Sequence, residues 1–162
     1  MAAKTRMKTA GTLRVDAAAV GKELQDTLVE LIDLSLRGKQ AHWNIVGSHF
    51  RSLHLQLDEV IDAVRLAADE VAERAVAIGY APDGRPGTVA KASGLAEFPA
   101  GQVSVSEVVD LFTQALETVC ANVRTRIETL EEPDLVSQDL LIGHLATLEK
   151  YHWMFAVQQA KN

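Results

Sequence analysis

Residues 38–60, GKQAHWNIVGSHFRSLHLQLDEV, hold a break between two helical patterns, with one histidine on each side of it. His42 precedes Gly47, a residue type that ends helices readily, and His54 follows it. Two helices joined by so short a turn pack antiparallel, so residues equally far from the turn face each other. The stretch therefore predicts a helical hairpin in which His42 and His54 meet, with Asp58 one helical turn beyond His54.

Helical patterns also cover most of the remaining chain, and almost no strand pattern is present. Asp16 is the expected N-cap of the first helix and Ser48 that of the second, while Ser104 and Glu107 form a capping-box pattern at the start of the third. Gly79 ends the second helix. The predicted helices run from Asp16 to Ile45, from Ser48 to Ile78, from Ser104 to Leu130 and from Ser137 to Gln159.

The connections between these helices indicate how they are arranged. The segment 79–103 contains three of the four prolines and predicts a long connection with one short helix around Val89–Ser93. The first and last connections are short, so each joins antiparallel neighbours. This order predicts an all-α four-helix bundle with one long crossover between helices two and three, which is the ferritin-like arrangement.

Composition is that of one folded domain. The chain has 162 residues, 48% of them hydrophobic and 23% charged, and that length can bury a core without metals or disulfides. The single cysteine, Cys120, excludes an internal disulfide framework and is expected to be a buried, inert thiol. No apolar run approaches the roughly 20 residues that span a bilayer, and residues 1–15 lack a signal-peptide pattern. We therefore expect a cytoplasmic protein with no membrane partner.

Charge separates a short basic tail from an acidic body. The net charge of the chain is −6, yet residues 1–14 carry four basic side chains and no acidic one, which leaves about −10 for residues 15–162. We expect residues 1–14 to be a flexible tail and residues 15–162 to form the bundle domain. The basic residues of the tail are Lys4, Arg6, Lys8 and Arg14.

Six ionisable side chains of the second helix lie within about 100° of its circumference and form a stripe. Such a stripe is often only a solvated helix face. Here, however, it begins with a histidine followed at i+4 by a carboxylate, a spacing that can bind one first-row metal ion. A carboxylate pair with the same spacing ends the stripe, about 16 Å further along the helix. The stripe consists of His54, Asp58, Asp62, Arg65, Asp69 and Glu73.

The two ends of this stripe can share a metal ion only if they belong to different chains. When two copies of the helix pack antiparallel about a two-fold axis, residues whose numbers have the same sum lie opposite each other. One register pairs Asp58 with Asp69, His54 with Glu73 and Asp62 with Arg65, the last as an ion pair beside the axis. Because such an interface is reciprocal, it would create two identical metal sites, each also reached by His42.

The segments KQAHWNIVGSHFRSLHLQLDE and AADEVAERAVAIG, with LEKYHWM near the end, resemble the Dps proteins (DNA-binding proteins from starved cells), which are twelve-subunit mini-ferritins. The resemblance covers about residues 20–160 and is weaker in the crossover. It implies that iron is the metal and that a ferroxidase site oxidises Fe(II), preferentially with hydrogen peroxide. The implied ligands are His42, His54 and Asp58 of one subunit with Asp69 and Glu73 of its two-fold mate.

The resemblance has further implications for the assembly and for other residues. It implies a dodecamer whose hollow shell stores ferric mineral and protects DNA from oxidative damage. Trp43 matches the tryptophan thought to lie near the ferroxidase centre and to intercept oxidising equivalents. Asp134 and Asp139 match the positions where the family lines its three-fold iron pores, although acids near a helix N-terminus are also favoured by the helix dipole alone.

Two alternatives stay open at this stage. Glu149 and His152 form one E-x-x-H pattern, but bundles with an internal di-iron site carry it on two helices, so that class of oxygenase is disfavoured. The protein could instead mainly bind DNA non-specifically and compact the nucleoid through its basic tails. The acidic body repels phosphate, so any affinity would come from many tails on one particle.

Overall fold

Four long helices and one short helix make up most of the computed structural model, which describes residues 15–159. The predicted all-α bundle with a long crossover is confirmed. Over the described range, every helix lacks an apolar stretch of the length required to cross a bilayer. The elements are α1 (Ala17–Asn44), β1 (Ile45–Val46), α2 (Phe50–Ala77), α3 (Pro86–Ala92), β2 (Val103–Ser104), α4 (Val105–Leu130), α5 (Leu135–Ala156) and a 3-10 turn (Val157–Gln159).

The bundle consists of two antiparallel hairpins, α1 with α2 and α4 with α5. The two-residue strands β1 and β2 pair in parallel and tie the first turn to the start of α4. The apolar faces of the four long helices form one core, in which the rings of Phe112 and Phe155 stack with centroids 5.4 Å apart. Cys120 is buried in this core, as expected, and burial raises the pKa of its thiol to about 11.

The helix starts agree with the predicted caps at two places. The Asp16 carboxylate accepts hydrogen bonds from the Ala18 and Ala19 amides, at 3.0 and 3.2 Å. The Ser104 hydroxyl accepts one from the Glu107 amide at 3.3 Å. These bonds satisfy amides that have no partner inside the helix.

The start of α2 differs from the prediction that Ser48 caps it. His49 is the N-cap, with a left-handed φ of 66° and no capping bond from its side chain. The physical reason is the β1–β2 pairing, which keeps residues 45–46 extended. The chain must therefore reverse its direction within residues 47–49, before α2 begins at Phe50. Gly47, at φ 120°, and His49 then take the positive φ angles.

The start of α5 also differs from the prediction. The helix begins at Leu135, two residues before the predicted Ser137. Asp134 caps this helix by accepting a hydrogen bond from the Val136 amide at 3.3 Å. The same carboxylate is buried and pairs with Arg74, near the end of α2, at 2.6 Å. The Arg74 guanidinium also donates to the Ser137 hydroxyl at 2.9 Å. This network fixes the end of the first hairpin to the beginning of the last helix.

A close approach of α1 and α2 at Gly38 determines how near His42 comes to α2. A Cβ atom placed on Gly38 would lie 2.5 Å from Cγ1 of the buried Ile61, so only glycine allows this spacing. Since His42 lies one helical turn after Gly38, the same approach sets the position of its ring.

We expect Gly38→Ala to lower the free energy of unfolding by about 1–3 kcal/mol, because the extra methyl group must displace a core side chain. Gly143→Ala is the matched control, since its Cβ would meet nothing within 4 Å, and it should stabilise α5 by up to about 1 kcal/mol. Chemical denaturation of both variants measures the difference. Equal free energies of unfolding for the two variants would contradict the close approach of α1 and α2 at Gly38.

The Asp134 network should give the stability a specific pH dependence. Burial alone would raise the pKa of Asp134, but hydrogen bonds from Ser137 and Arg74 outweigh it and lower the pKa below the usual 3.8. The stabilisation is therefore complete above pH 3.8 and lost as the pH falls through the lower folded-state pKa. Asp134→Asn should cost about 1.5–3 kcal/mol near neutral pH, and its deficit should shrink in acid. A deficit independent of pH in denaturation titrations would refute this account.

Candidate metal centre

His42, in the last turn of α1, lies against His54 and Asp58, in the first turns of α2. One donor atom from each of the three side chains lies within 4.8 Å of the other two, and no other cluster of three such ligands occurs among residues 15–159. The imidazole rings stack with centroids 3.6 Å apart and an angle of 24° between their planes. The predicted meeting of the two histidines across the turn is confirmed.

Backbone carbonyl groups fix which ring nitrogens are available to a metal ion. His42 Nδ1 lies 3.2 Å from the His54 carbonyl oxygen, and His54 Nδ1 lies 3.0 Å from the His42 carbonyl oxygen. A carbonyl oxygen only accepts hydrogen bonds, so each Nδ1 must carry the hydrogen. Both Nε2 atoms then present a lone pair, which is the state that a metal ligand requires.

Asp58 supplies the negative charge of the cluster. Its Oδ1 atom lies 2.6 Å from the Lys39 ammonium nitrogen and 3.2 Å from His42 Nδ1. The hydrogen bond from Lys39 is the main reason why the pKa of Asp58 lies below its ordinary value, and the positive charge of Lys39 adds to the effect. The carboxylate is therefore ionised at neutral pH and already binds one cation, the Lys39 ammonium.

Lys39 is the member of this centre that sequence reasoning missed. A signal for it was present, because the pairing across the turn that places His42 opposite His54 also places Lys39 opposite Asp58. The residue was overlooked because an ammonium is never a metal ligand. Its role is to neutralise the carboxylate when no metal ion is bound.

The remaining residues of the predicted stripe lie further along α2 and do not join the cluster within one chain. All four are exposed, and no ion pair involves Asp62 or Arg65 within residues 15–159. Two large apolar side chains on the same side of α2, Leu55 and Leu66, are 47% and 60% exposed. The four stripe residues are Asp62, Arg65, Asp69 and Glu73.

The other predicted site residues have different surroundings. Trp43 is 72% exposed beside His42. Asp134 is buried in its capping and ion-pair network, which leaves Asp139 as the exposed member of the predicted pore pair. Glu149 of the E-x-x-H pattern pairs with Arg124 on α4. The tail residues Lys4, Arg6, Lys8 and Arg14 lie outside the described residues.

Comparison with known proteins gives consistent matches. Residues 21–161 match the family model of the ferritin-like domain. The DNA protection during starvation protein of Mycolicibacterium smegmatis is 39% identical over 137 residues, which are 85% of this chain and 75% of that protein. The DNA protection during starvation protein 2 of Deinococcus radiodurans is 37% identical over 149 residues, which are 92% of this chain but 61% of that longer protein.

A solved structure matches equally well. The structure of Dps from Microbacterium arborescens in the high iron form superposes with a TM-score of 0.87 at 32% identity. The match covers 93% of this chain and 98% of that one. The bundle, its hairpins and its crossover are thus common to both proteins.

Removing the Lys39 charge should strengthen metal binding at this centre. In Lys39→Met, a divalent ion no longer competes with the ammonium for Asp58, so we expect Co²⁺ to bind about three- to fivefold more tightly. The gain is limited to ~1 kcal/mol because both side chains are partly exposed. Titration calorimetry measures the affinity.

Lys22→Met is the matched control for this experiment. It removes the same charge and another ion pair on α1, that with Asp26, at a distance from the cluster. Weaker or unchanged Co²⁺ binding in Lys39→Met would show that Lys39 does not occupy the site of the ion.

Proposed function

We propose that this chain, which belongs to the Dps family of ferritin-like proteins, oxidises Fe(II) at sites shared between two subunits and stores the ferric product in a hollow shell. In this proposal Fe(II) is the substrate and hydrogen peroxide the preferred oxidant. The shell is a dodecamer built from two-fold dimers and works in the cytoplasm, where removal of iron and peroxide protects DNA. The high iron form named for the Microbacterium protein supports the choice of metal.

The observation that carries this proposal is that one hairpin supplies only part of the ligands that a metal ion needs. His42, His54 and Asp58 supply two nitrogen donors and one carboxylate, with both Nε2 lone pairs available. First-row metal ions take four to six ligands, so three from one chain leave positions for a partner chain and for substrate.

The exposed side of α2 supports the partner chain as the source of the missing ligands. It carries Asp69 and Glu73 together with the exposed Leu55 and Leu66. Antiparallel contact of two α2 helices would bury the leucines and bring each carboxylate pair to the other chain's histidines. It would also pair Asp62 with Arg65 across the axis, and the isologous symmetry would create two equal sites.

The ligand types suit oxidation of Fe(II) by peroxide. Carboxylates bind Fe(III) more strongly than Fe(II), so the site favours the oxidised product. Two Fe(II) ions give one electron each to one hydrogen peroxide molecule, whose O–O bond breaks; with two protons the products are two Fe(III) ions and two water molecules. Paired delivery of the electrons avoids hydroxyl radical. Trp43, exposed beside His42, is positioned to accept any single oxidising equivalent that escapes.

The double variant His54→Ala/Asp58→Asn tests this proposal. It removes two ligands of every site, so the rate of peroxide-dependent Fe(II) oxidation should fall by at least about 100-fold. The rate is followed by the absorbance of the ferric product, and light scattering should show an unchanged assembly. His49→Asn is the control, because it removes an exposed histidine outside the cluster while tolerating the left-handed φ. A normal rate in the double variant would place the oxidation elsewhere.

DNA binding is a second candidate function, favoured by the four basic residues among the first 14. We propose that several such tails on one particle bind DNA phosphates together, although each tail alone binds weakly. The names of the Mycolicibacterium and Deinococcus relatives, which refer to DNA protection, are consistent with direct binding and with protection by iron removal. In this alternative the protein is also associated with the nucleoid.

Deletion of residues 1–14 should abolish retardation of DNA in a gel and leave Fe(II) oxidation unchanged. In the full-length protein, retardation should weaken steeply with increasing salt, because each phosphate contact releases counterions. The substitution of Lys4, Arg6, Lys8 and Arg14 by Gln is the control that keeps the length of the tail. Equal retardation with and without the charges would show that the tail does not bind DNA.

A further inference from the structure

A groove of about 380 Å³ lies between α2 and α5, next to the stripe, with Leu66 at the boundary between the two. Its walls are mostly apolar, with Leu66 and Leu140 among them, but three ionisable side chains also line it. These are Glu70 from α2 and Asp139 and His144 from α5. Glu70 lies twelve residues after Asp58, about 18 Å along the helix, so the groove is separate from the histidines of its own hairpin. Glu70 is also about 100° around α2 from its neighbour Asp69, so it lies on a different face from the proposed ligand pair Asp69 and Glu73.

His144 is the unusual residue of this groove. Its Nε2 atom is fully buried and has no hydrogen-bond partner within residues 15–159. Burial lowers the pKa of His144, which keeps the imidazole neutral at neutral pH. Nε2 nevertheless lies 3.2 Å from a carboxylate oxygen of Glu70, in an orientation that does not form a hydrogen bond. A buried ring nitrogen that faces a carboxylate without forming a hydrogen bond is left unsatisfied, which is unfavourable. A cation held between the two groups would satisfy both of them.

The separation of the two atoms fits a shared metal ion. Metal–nitrogen and metal–oxygen bonds of about 2.0–2.1 Å at a tetrahedral angle place the two donors about 3.3 Å apart. The observed distance of 3.2 Å is close to this value. Glu70 is 44% exposed, so water can reach the ion and fill the remaining coordination positions.

We propose that His144 and Glu70 bind a divalent first-row metal ion in the α2–α5 groove, at a site distinct from the hairpin centre. The imidazole and the carboxylate are the two protein ligands, a donor pair that suits Zn²⁺ and Fe²⁺. Asp139, at the edge of the groove, adds negative charge that attracts the cation without coordinating it directly. With two protein ligands the site is a loose one, from which the ion exchanges readily.

The test uses the full-length, assembled protein carrying His54→Ala/Asp58→Asn, so that metal binding at the hairpin centre does not interfere. Crystals soaked in ZnCl₂ should show an anomalous difference peak about 2.0–2.2 Å from His144 Nε2 and from a Glu70 oxygen. In calorimetric titrations with Zn²⁺, the added change His144→Ala should remove one bound ion per chain. Glu70→Gln, which alters an exposed carboxylate and should not disturb folding, should weaken that ion at least about tenfold.

His49→Asn in the same background is the control and should leave the number of bound Zn²⁺ ions unchanged. Absence of an anomalous peak in the groove would overturn the proposal. So would an unchanged Zn²⁺ stoichiometry in both His144→Ala and Glu70→Gln, which would show that the pair serves only packing. Because the hairpin centre is disabled throughout, neither result depends on whether that centre oxidises iron.

Discussion

Two reciprocal contacts hold the candidate metal centre together. The imidazole Nδ1 of His42 contacts the backbone carbonyl oxygen of His54, and that of His54 contacts the carbonyl oxygen of His42. These contacts fix the hydrogen on Nδ1 of both rings and leave both Nε2 lone pairs available to a metal ion. They are available only because α1 and α2 approach closely, which Gly38 allows, and because the chain reverses within three residues after β1. A wider hairpin would leave two separate surface histidines.

The same constraint explains why the hairpin is incomplete by itself. With each Nδ1 held by a carbonyl oxygen, one hairpin offers one donor nitrogen from each ring and one carboxylate, which makes three protein ligands. Asp58 is neutralised by Lys39, and among residues 15–159 neither Asp69 nor Glu73 forms an ion pair with a histidine. Our proposal that a second chain supplies the missing half follows from this arrangement.

The fold was predictable from the sequence because its signals are local. Asp16, Ser104 and Gly79 mark helix ends through hydrogen bonds or conformations that involve only near neighbours. The starts of α2 and α5 were wrong because they depend on distant partners: β2 holds the residues before His49, and Arg74 secures the cap at Asp134. In the centre, the pairing of residues across the hairpin turn was sufficient to predict that His42 meets His54. The same pairing places Lys39 opposite Asp58, but an ammonium is not a metal ligand, so the role of Lys39 is evident only from its ion pair with Asp58.

The sharing of each site between two chains is tested most directly by complementation. One chain carries His54→Ala/Asp58→Asn and the other Asp69→Asn/Glu73→Gln, and the two are unfolded, mixed in equal amounts and reassembled. In every mixed two-fold pair, one site receives all four changes and the other none, so about one quarter of all sites should be intact. We predict that each variant alone is inactive and that the mixture recovers about one quarter of the wild-type rate of peroxide-dependent Fe(II) oxidation. A mixture as inactive as its two components would contradict the account.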